Sequence, residues 1–243
     1  MALQKFFKPK YFYSLKRIGG ANDGGYLVGI NSLEKADYLV SIGINDDWSF
    51  EESIRKLRKN IEIFCYDDNL SLKFILRNLI IQIIFVIFNL NFTLVIKKLW
   101  IVINYFFFKS KVHYFKKKIT NKNINNVFFG KKNILLKIDI EGYEYRILDQ
   151  IIKIQNKLIG LIIEFHDVDL HYKVIKNFMK KLNLKLIHIH GNNYSEIDNF
   201  GNPTMIELTF EKNPVISKKK SKIPHPLDQP NNNKKKEVIL NFS

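Results

Sequence analysis

The chain has 243 residues, 46% of them hydrophobic, and a formal net charge of +16. This length suits one elaborated α/β domain better than two, and it allows a sizeable buried core. The single cysteine, Cys65, excludes a disulfide or a cysteine-based metal site within one chain.

Strand and helix patterns alternate along most of the chain. The residue patterns predict strands at 38–43, 61–66, 127–129, 134–140, 159–165, 184–190 and 204–210, and helices at 49–59, 143–154 and 170–182. Ser49 is the predicted cap of the first helix. Alternation of this kind predicts a parallel sheet, whereas the last two strands are joined by a loop too short for a crossover helix and should be antiparallel.

An apolar insertion interrupts this pattern at about 70–118. Residues 78–96 carry no formal charge over nineteen positions, which meets the length criterion for a membrane span. The strands on both sides must share one sheet, however, and a single crossing would separate them. Two interpretations remain open: a helical subdomain that covers the sheet or the active site, and an interfacial anchor whose lysines at 109–118 meet anionic headgroups.

Most of the net charge lies in two segments. Residues 109–132 contain eight lysines and no acidic residue, and the tail 212–243 contains eight lysines against two acidic residues. Neither segment shows the signature of a nucleic-acid-binding module, which disfavours nucleic acid as a partner. A solvated charged face or a membrane-facing patch is the expected use of these lysines.

Ionisable residues follow two neighbouring predicted strands. Asp139 and Glu141 end the strand 134–140, just before a glycine, and Glu164 and His166 end the next strand. Ligands of open α/β sheets bind beyond the carboxyl ends of the strands. The sequence therefore predicts a ligand site at this edge.

The two earlier strands predict the nucleoside side of that site. Gly43 ends the first strand and lets a ligand approach the backbone, although the full G-x-G-x-x-G fingerprint is absent. Asp67 follows 24 residues later, close to the spacing of about 20 at which an acidic side chain binds ribose hydroxyls. The turn that contains Asp23 is either a simple hairpin turn or a flexible cover over the cofactor.

Four segments together resemble the FkbM-type family of S-adenosylmethionine-dependent methyltransferases: residues 17–28, 41–51, 136–144 and 162–166. The most specific is 136–144, with the sequence LKIDIEGYE. The resemblance implies a Rossmann-like class I methyltransferase fold, in which a mostly parallel sheet ends in an antiparallel hairpin. The methyltransferase domain would span 1–211, with the helical insertion at about 70–118 and a basic C-terminal tail at 212–243.

The same resemblance implies S-adenosyl-L-methionine as cofactor and a hydroxyl as acceptor, on a sugar of a surface glycan or its precursor. The implied cofactor-binding residues are Asp23, Gly43, Asn45, Asp67 and Asp139. The implied catalytic residues are Asp139 and Glu141 beside the methyl group, with His166 as first and His190 as second candidate for the base, because imidazole titrates near neutral pH.

Other interpretations stay open. His188 and His190 face one side of their strand and could be satisfied core histidines. The carboxylates and His166 could bind a divalent ion, although no tight ligand spacing demands one and no metal is predicted. A non-catalytic glycan- or membrane-associated scaffold is the alternative function. The expected location is cytoplasmic, with peripheral contact to the inner face of the membrane through 70–118 as an option.

Overall fold

The computed structural model describes residues 3–68, 106–218 and 220–242. The predictions for most of the apolar insertion, residues 70–105, lie outside these ranges. Within them, no helix has the length and apolar character to cross a membrane.

Eleven strands and five α-helices make up the described fold. The strands are β1 (Phe12–Tyr13), β2 (Leu15–Ile18), β3 (Tyr26–Gly29), β4 (Tyr38–Ile42), β5 (Glu62–Asp67), β6 (His113–Lys116), β7 (Ile134–Ile138), β8 (Leu158–Phe165), β9 (Lys185–Gly191), β10 (Ile206–Glu211) and β11 (Ile216–Lys218). The helices are α1 (Ile30–Lys35), α2 (Ser49–Leu57), α3 (Ile124–Val127), α4 (Leu148–Ile154) and α5 (Val168–Lys181).

Seven of these strands form one sheet in the order β6-β5-β4-β7-β8-β10-β9. Neighbouring strands from β6 to β8 are parallel, and β10 pairs antiparallel with both β8 and β9. This confirms the predicted parallel sheet with an antiparallel end, and the arrangement is that of the class I methyltransferase fold. The strand order reverses between β4 and β7, which is where open α/β sheets bind ligands.

The sheet is covered on both faces. One apolar cluster includes Phe7, α4 and α5, and a second, on the other side, includes Trp48, Phe50 and Cys65. Every residue of β7 and β8 is buried. Strands covered on both faces have nearly continuous apolar sequences, and these two, which are apolar apart from Lys137 and Glu164, could be recognised in the sequence for that reason.

Three local predictions were wrong. The predicted strand at 127–129 is the end of α3 and the turn after it, where Val127 and Phe128 are buried and Phe129 is 84% exposed. The predicted helix at 143–154 is divided into a 3₁₀ turn, Glu144–Arg146, and α4. Ser49 makes no capping hydrogen bond with its side chain; instead its amide donates to Asp47 Oδ1 at 2.8 Å.

The C-terminal segment packs on the domain. Its strand β11 pairs with β1, Asn231 and Leu240 are buried, and Phe242 forms an isolated bridge with Leu3. The lysine-rich tail is therefore attached to the end of the sheet that carries β9 and β10.

Candidate active site

Gly43 lies where the loops after β4 and β7 meet. Its φ is +78°, and a Cβ at this position would be 1.7 Å from the backbone oxygen of Asp139. A glycine is needed because another backbone, and not a ligand, occupies the space beside its Cα. This corrects the reason given for Gly43 above, although Gly43 does line the cleft described next.

Asp67 fixes the loop that follows Gly43. One of its oxygens, Oδ2, accepts hydrogen bonds from the amides of Ile44 at 3.0 Å and Asn45 at 2.9 Å. Asn45 has a φ of +46°, so the chain turns sharply here. The carboxylate at the end of β5 thus holds the loop at the end of β4, and its predicted contact with a ribose stays a prediction.

A cleft of about 380 Å³ opens above these loops. Its volume falls within the usual range for small-molecule sites, about 300 to 1,000 Å³. The charged side chains that line it are Asp23, Asp46, Asp47, Asp67, Asp68, Asp139, Glu141, Lys117, Lys118 and Lys137. Carboxylates outnumber lysines here in a protein that is strongly basic as a whole, and such a cleft favours a ligand that carries positive charge.

The turn with Asp23 is a hairpin turn, and its role as a flexible cover over a cofactor stays a prediction. It joins the antiparallel strands β2 and β3, and Asp23 lines the cleft. Arg17 holds the turn by donating to the backbone oxygens of Gly20 and Asn22, at 3.2 and 2.8 Å. Burial raises the pKa of Asp23, while its hydrogen bond from Asn231 opposes the shift.

Asp139 lies at the bottom of the cleft at the end of β7. Its Oδ2 accepts a hydrogen bond from the hydroxyl of Tyr26 at 3.1 Å. Burial raises the pKa of Asp139, although Lys137 and His166 lower it. Lys137 itself is buried and donates to the backbone oxygen of Gly43 at 3.3 Å.

His166 is held between two carboxylates. Its Nδ1 is 3.2 Å from Oε1 of the fully buried Glu144, and its Nε2 is 3.3 Å from Oε2 of Glu141. Burial alone would lower the pKa of His166, but the two carboxylates raise it to about 11. At neutral pH the ring is therefore an imidazolium without a free lone pair, which counts against its predicted role as the base.

His190 has the same kind of environment and does not line the cleft. Its Nδ1 is 3.3 Å from Glu207 and its Nε2 is 2.9 Å from Glu237. Burial opposes protonation, but these partners raise the pKa of His190 to about 10. Nearby, His188 Nε2 is 2.8 Å from Asp228. Both histidines match the alternative interpretation of satisfied buried side chains.

Glu164 extends the row of carboxylates from Asp139 toward the last hairpin. It is buried and accepts a hydrogen bond from Asn192 Nδ2 at 2.7 Å. Burial raises the pKa of Glu164 well above its ordinary value, and Asp139 and Glu207 add to the shift. The next carboxylate, Glu207, accepts from Asn231 of the tail at 2.7 Å.

No protein-family model matches the chain, and no curated protein matches it significantly. Solved structures with a similar fold include a fibrillarin pre-rRNA processing protein of Methanococcus jannaschii, with 9% identity, 84% of both chains covered and a TM-score of 0.41. A precorrin-6y C5,15-methyltransferase of Geobacter metallireducens has 12% identity, with 74% of this chain and 84% of that chain covered and a TM-score of 0.42. M. capricolum TrmK in complex with S-adenosyl-homocysteine has 12% identity, with 76% of this chain and 67% of that chain covered and a TM-score of 0.40. Identities and TM-scores this low describe a distant likeness of fold and do not bear on substrate or mechanism.

Several residues of the site escaped the sequence analysis. Tyr26 and Glu144 lie inside the segments singled out there, so their positions were marked but not their contacts. Glu207, Asn192 and Asn231 carry no local signal, because they reach the row of carboxylates only through strand pairing and the return of the tail. Of the predicted residues, Asp23, Gly43, Asn45, Asp67, Asp139 and Glu141 line one cleft.

Proposed function

We propose that the protein is an S-adenosylmethionine-dependent methyltransferase of the FkbM type that methylates a hydroxyl group. The observation that carries this proposal is the acidic cleft at the point where the strand order reverses, between β4 and β7. The cofactor carries a sulfonium and an ammonium group, and the carboxylates of the cleft complement both.

For the cofactor, the loop from Gly43 to Asn45 would contact the methionine moiety. Asp67 at the end of β5 would bind the ribose, and Asp23 would cover the cofactor from the turn between β2 and β3. Support for this orientation comes from the order of the loops around the cleft, since β5 and β7 lie on opposite sides of β4.

For the chemical step, the acceptor oxygen attacks the methyl carbon, the carbon–sulfur bond breaks, and S-adenosylhomocysteine leaves. Alignment of the two reactants can lower the barrier by about 7 to 11 kcal/mol. The hydroxyl proton passes to a carboxylate, and Asp139 is our choice because it lies in the cleft while His166 and His190 are held by carboxylates. Such a base adds a factor of about 100 to 10,000.

For the acceptor, we propose a sugar hydroxyl of a surface glycan or its precursor. The exposed carboxylates that line the cleft, Asp46, Asp47, Asp68 and Glu141, would repel the phosphates of a nucleic acid, whereas a neutral polyol offers hydroxyl donors to carboxylates. A cytoplasmic protein would meet such a precursor at the inner face of the membrane.

For contact with that membrane, we propose a basic-aromatic surface made of Phe106, Phe107, Lys109 and Lys111. Phe106 is 53% exposed and Phe107 is 59% exposed, and both lysines are exposed beside them. Aromatic rings and lysines on one surface suit the headgroup region of an anionic bilayer. The segment leads into β6, and Lys117 and Lys118 beyond that strand line the cleft.

Titration calorimetry with S-adenosylhomocysteine tests the cofactor. We expect saturable binding, and an absence of both heat and thermal stabilisation at millimolar ligand would favour the scaffold alternative.

For the acceptor, glycans from a strain that lacks the protein should contain a sugar lighter by one methylene group in mass spectrometry. In a reconstituted reaction, Asp139→Asn should lower kcat by about 100-fold or more, whereas Asp169→Asn on the outer surface should leave it unchanged.

A further inference from the structure

Two side chains that line the cleft and a histidine next to them can offer ligand atoms to one point. One carboxylate oxygen each from Asp139 and Glu141 and a ring nitrogen of His166 all lie within 4.8 Å of one another. Metal bonds to nitrogen and oxygen are about 2.0 to 2.2 Å long, so adjacent ligand atoms of one ion are about 3 Å apart. The 3.3 Å between His166 Nε2 and Glu141 Oε2 is close to that spacing. We propose that Asp139, Glu141 and His166 bind a divalent cation, which takes the place of the proton on His166 Nε2; that proton is released to solvent as the ion binds.

Two members of this trio, His166 and Asp139, are oriented by neighbouring side chains in the way that is usual for metal ligands. A ligating histidine generally donates its other ring N–H to a carboxylate, and ligating carboxylates are themselves hydrogen-bonded. His166 Nδ1 faces Glu144 Oε1 at 3.2 Å, which directs Nε2 toward Asp139 and Glu141. The Tyr26 hydroxyl donates to Asp139 Oδ2 at 3.1 Å, which orients that carboxylate.

The charges around the trio also favour a cation. Glu144 is buried next to it, and Lys137 is a buried amine nearby. That lysine lies between Asp139 and a further buried carboxylate, Glu51, so its charge is shared. Buried carboxylates need a compensating charge, and a divalent ion at the trio would supply it.

His190 provides an internal comparison. It too has a carboxylate at each ring nitrogen, Glu207 at Nδ1 and Glu237 at Nε2. Among the described residues, however, no further carboxylate joins them in the way that Asp139 joins Glu141 and His166. In the described ranges the trio at the cleft is the group whose atoms converge. Substitution of His190 is therefore the matched control for substitution of His166.

The role of the ion rests on the proposed methyltransferase function. Glu141 is largely exposed and the trio opens into the cleft, so an ion there would keep a coordination position for an acceptor oxygen beside the methyl group. Imidazole and carboxylate ligands together suit ions such as Mn²⁺ or Zn²⁺. The binding of the ion itself does not depend on the cofactor.

Mn²⁺ titration of the chelator-treated full chain, followed by calorimetry and by the electron paramagnetic resonance signal of the free ion, tests the proposal. We expect one Mn²⁺ per chain in the absence of cofactor. Asp139→Asn, Glu141→Gln and His166→Asn should each weaken binding at least tenfold, and Glu144→Gln by about 10- to 100-fold. His190→Asn and Asp47→Asn, the latter a cleft carboxylate outside the trio, should bind Mn²⁺ like the wild type.

A second measurement needs no variant. Fe²⁺ with ascorbate and peroxide cleaves a backbone near bound iron, and mass spectrometry should find the breaks close to residues 139–141 and 166. Absence of Mn²⁺ binding at millimolar concentration, or cleavage concentrated elsewhere, would overturn the site. Binding of S-adenosylhomocysteine by the chelator-treated protein is scored separately, so failure of the cofactor and failure of the metal are distinguishable.

Discussion

Gly43 and Gly130 have similar backbone angles but different surroundings. Their φ values are +78° and +71°. A Cβ on Gly43 would be 1.7 Å from the backbone oxygen of Asp139, whereas a Cβ on Gly130 would have no heavy atom within 4 Å. Gly130→Ala should lower the free energy of unfolding by about 1 to 2 kcal/mol, the cost of left-handed backbone. Gly43→Ala should lose a further 1 to 3 kcal/mol or so, because the loops after β4 and β7 must separate. Urea unfolding of both variants checks this, and equal losses would contradict the close approach.

His190 gives a prediction about pH. Its partners Glu207 and Glu237 and the nearby Asp228 raise its pKa to about 10 from an ordinary 6.5. The folded state therefore keeps a proton that the unfolded state releases above about pH 6.5. The stabilisation is complete below that pH and is lost as the pH rises through about 10.

Urea unfolding at several pH values between 6 and 10 measures this effect. The free energy of unfolding of the wild type should fall over that range, and it should fall less steeply for His190→Asn. Substitution of His225 is the control: burial lowers the pKa of His225 to about 4, so its ring is already neutral over this pH range. A His190→Asn profile parallel to that of the wild type would show that the imidazolium does not contribute.

At the scale of elements, the sequence was sufficient where burial is local and repetitive. β7 and β8 are apolar apart from Lys137 and Glu164, and the carboxylates after β7 could be recognised because strand ends converge at one edge. β6 was missed in the sequence analysis, because its residues form a strand only by pairing at the edge of the sheet. The predicted strand at 127–129 was wrong because three apolar residues do not distinguish a strand from a helical turn. The carboxylates around His166 and His190 come from distant segments, which no local pattern reports.

The basic-aromatic surface is the element whose function is most directly tested. Phe106→Ser with Phe107→Ser should reduce sedimentation with vesicles that contain phosphatidylglycerol at least tenfold, because each buried ring contributes about 1.5 to 3 kcal/mol. Vesicles of phosphatidylcholine alone should bind the wild type weakly, since the lysines contribute about 1 kcal/mol each near an anionic surface.

The matched control for that experiment is Phe129→Ser. Phe129 is more exposed than either phenylalanine of the surface, but it lies in the turn after α3, away from the segment that leads into β6. If Phe129→Ser reduced vesicle binding as much as the double variant does, contact with the membrane would not be specific to the basic-aromatic surface. If none did, the membrane proposal would be wrong while the cofactor proposal would be unaffected.

At the scale of the whole molecule, the distribution of charge is uneven. A chain of net charge +16 encloses a cleft in which carboxylates predominate, and most of its net positive charge lies in 109–132 and in the tail. The tail does not cancel the acidic row: the residues that it brings there are Asp228, Asn231 and Glu237, while the lysines in its described part are exposed. By its charge the cleft therefore favours cations, whereas the basic segments of the same protein attract anions.

This separation predicts how the binding of S-adenosylmethionine and S-adenosylhomocysteine depends on salt. The two differ by the methyl group and one positive charge, so the carboxylates should bind S-adenosylmethionine more tightly at low ionic strength. Screening shortens from about 30 Å at 0.01 M salt to about 3 Å at 1 M, so the ratio of the two Kd values should shrink several-fold over that range. Asp46→Asn with Asp68→Asn, two exposed cleft carboxylates, should flatten this dependence, and Asp169→Asn should not. Calorimetry at four salt concentrations measures the ratio of the two Kd values. A ratio that grows with salt concentration would mean that the basic surface, not the acidic cleft, determines which ligand binds.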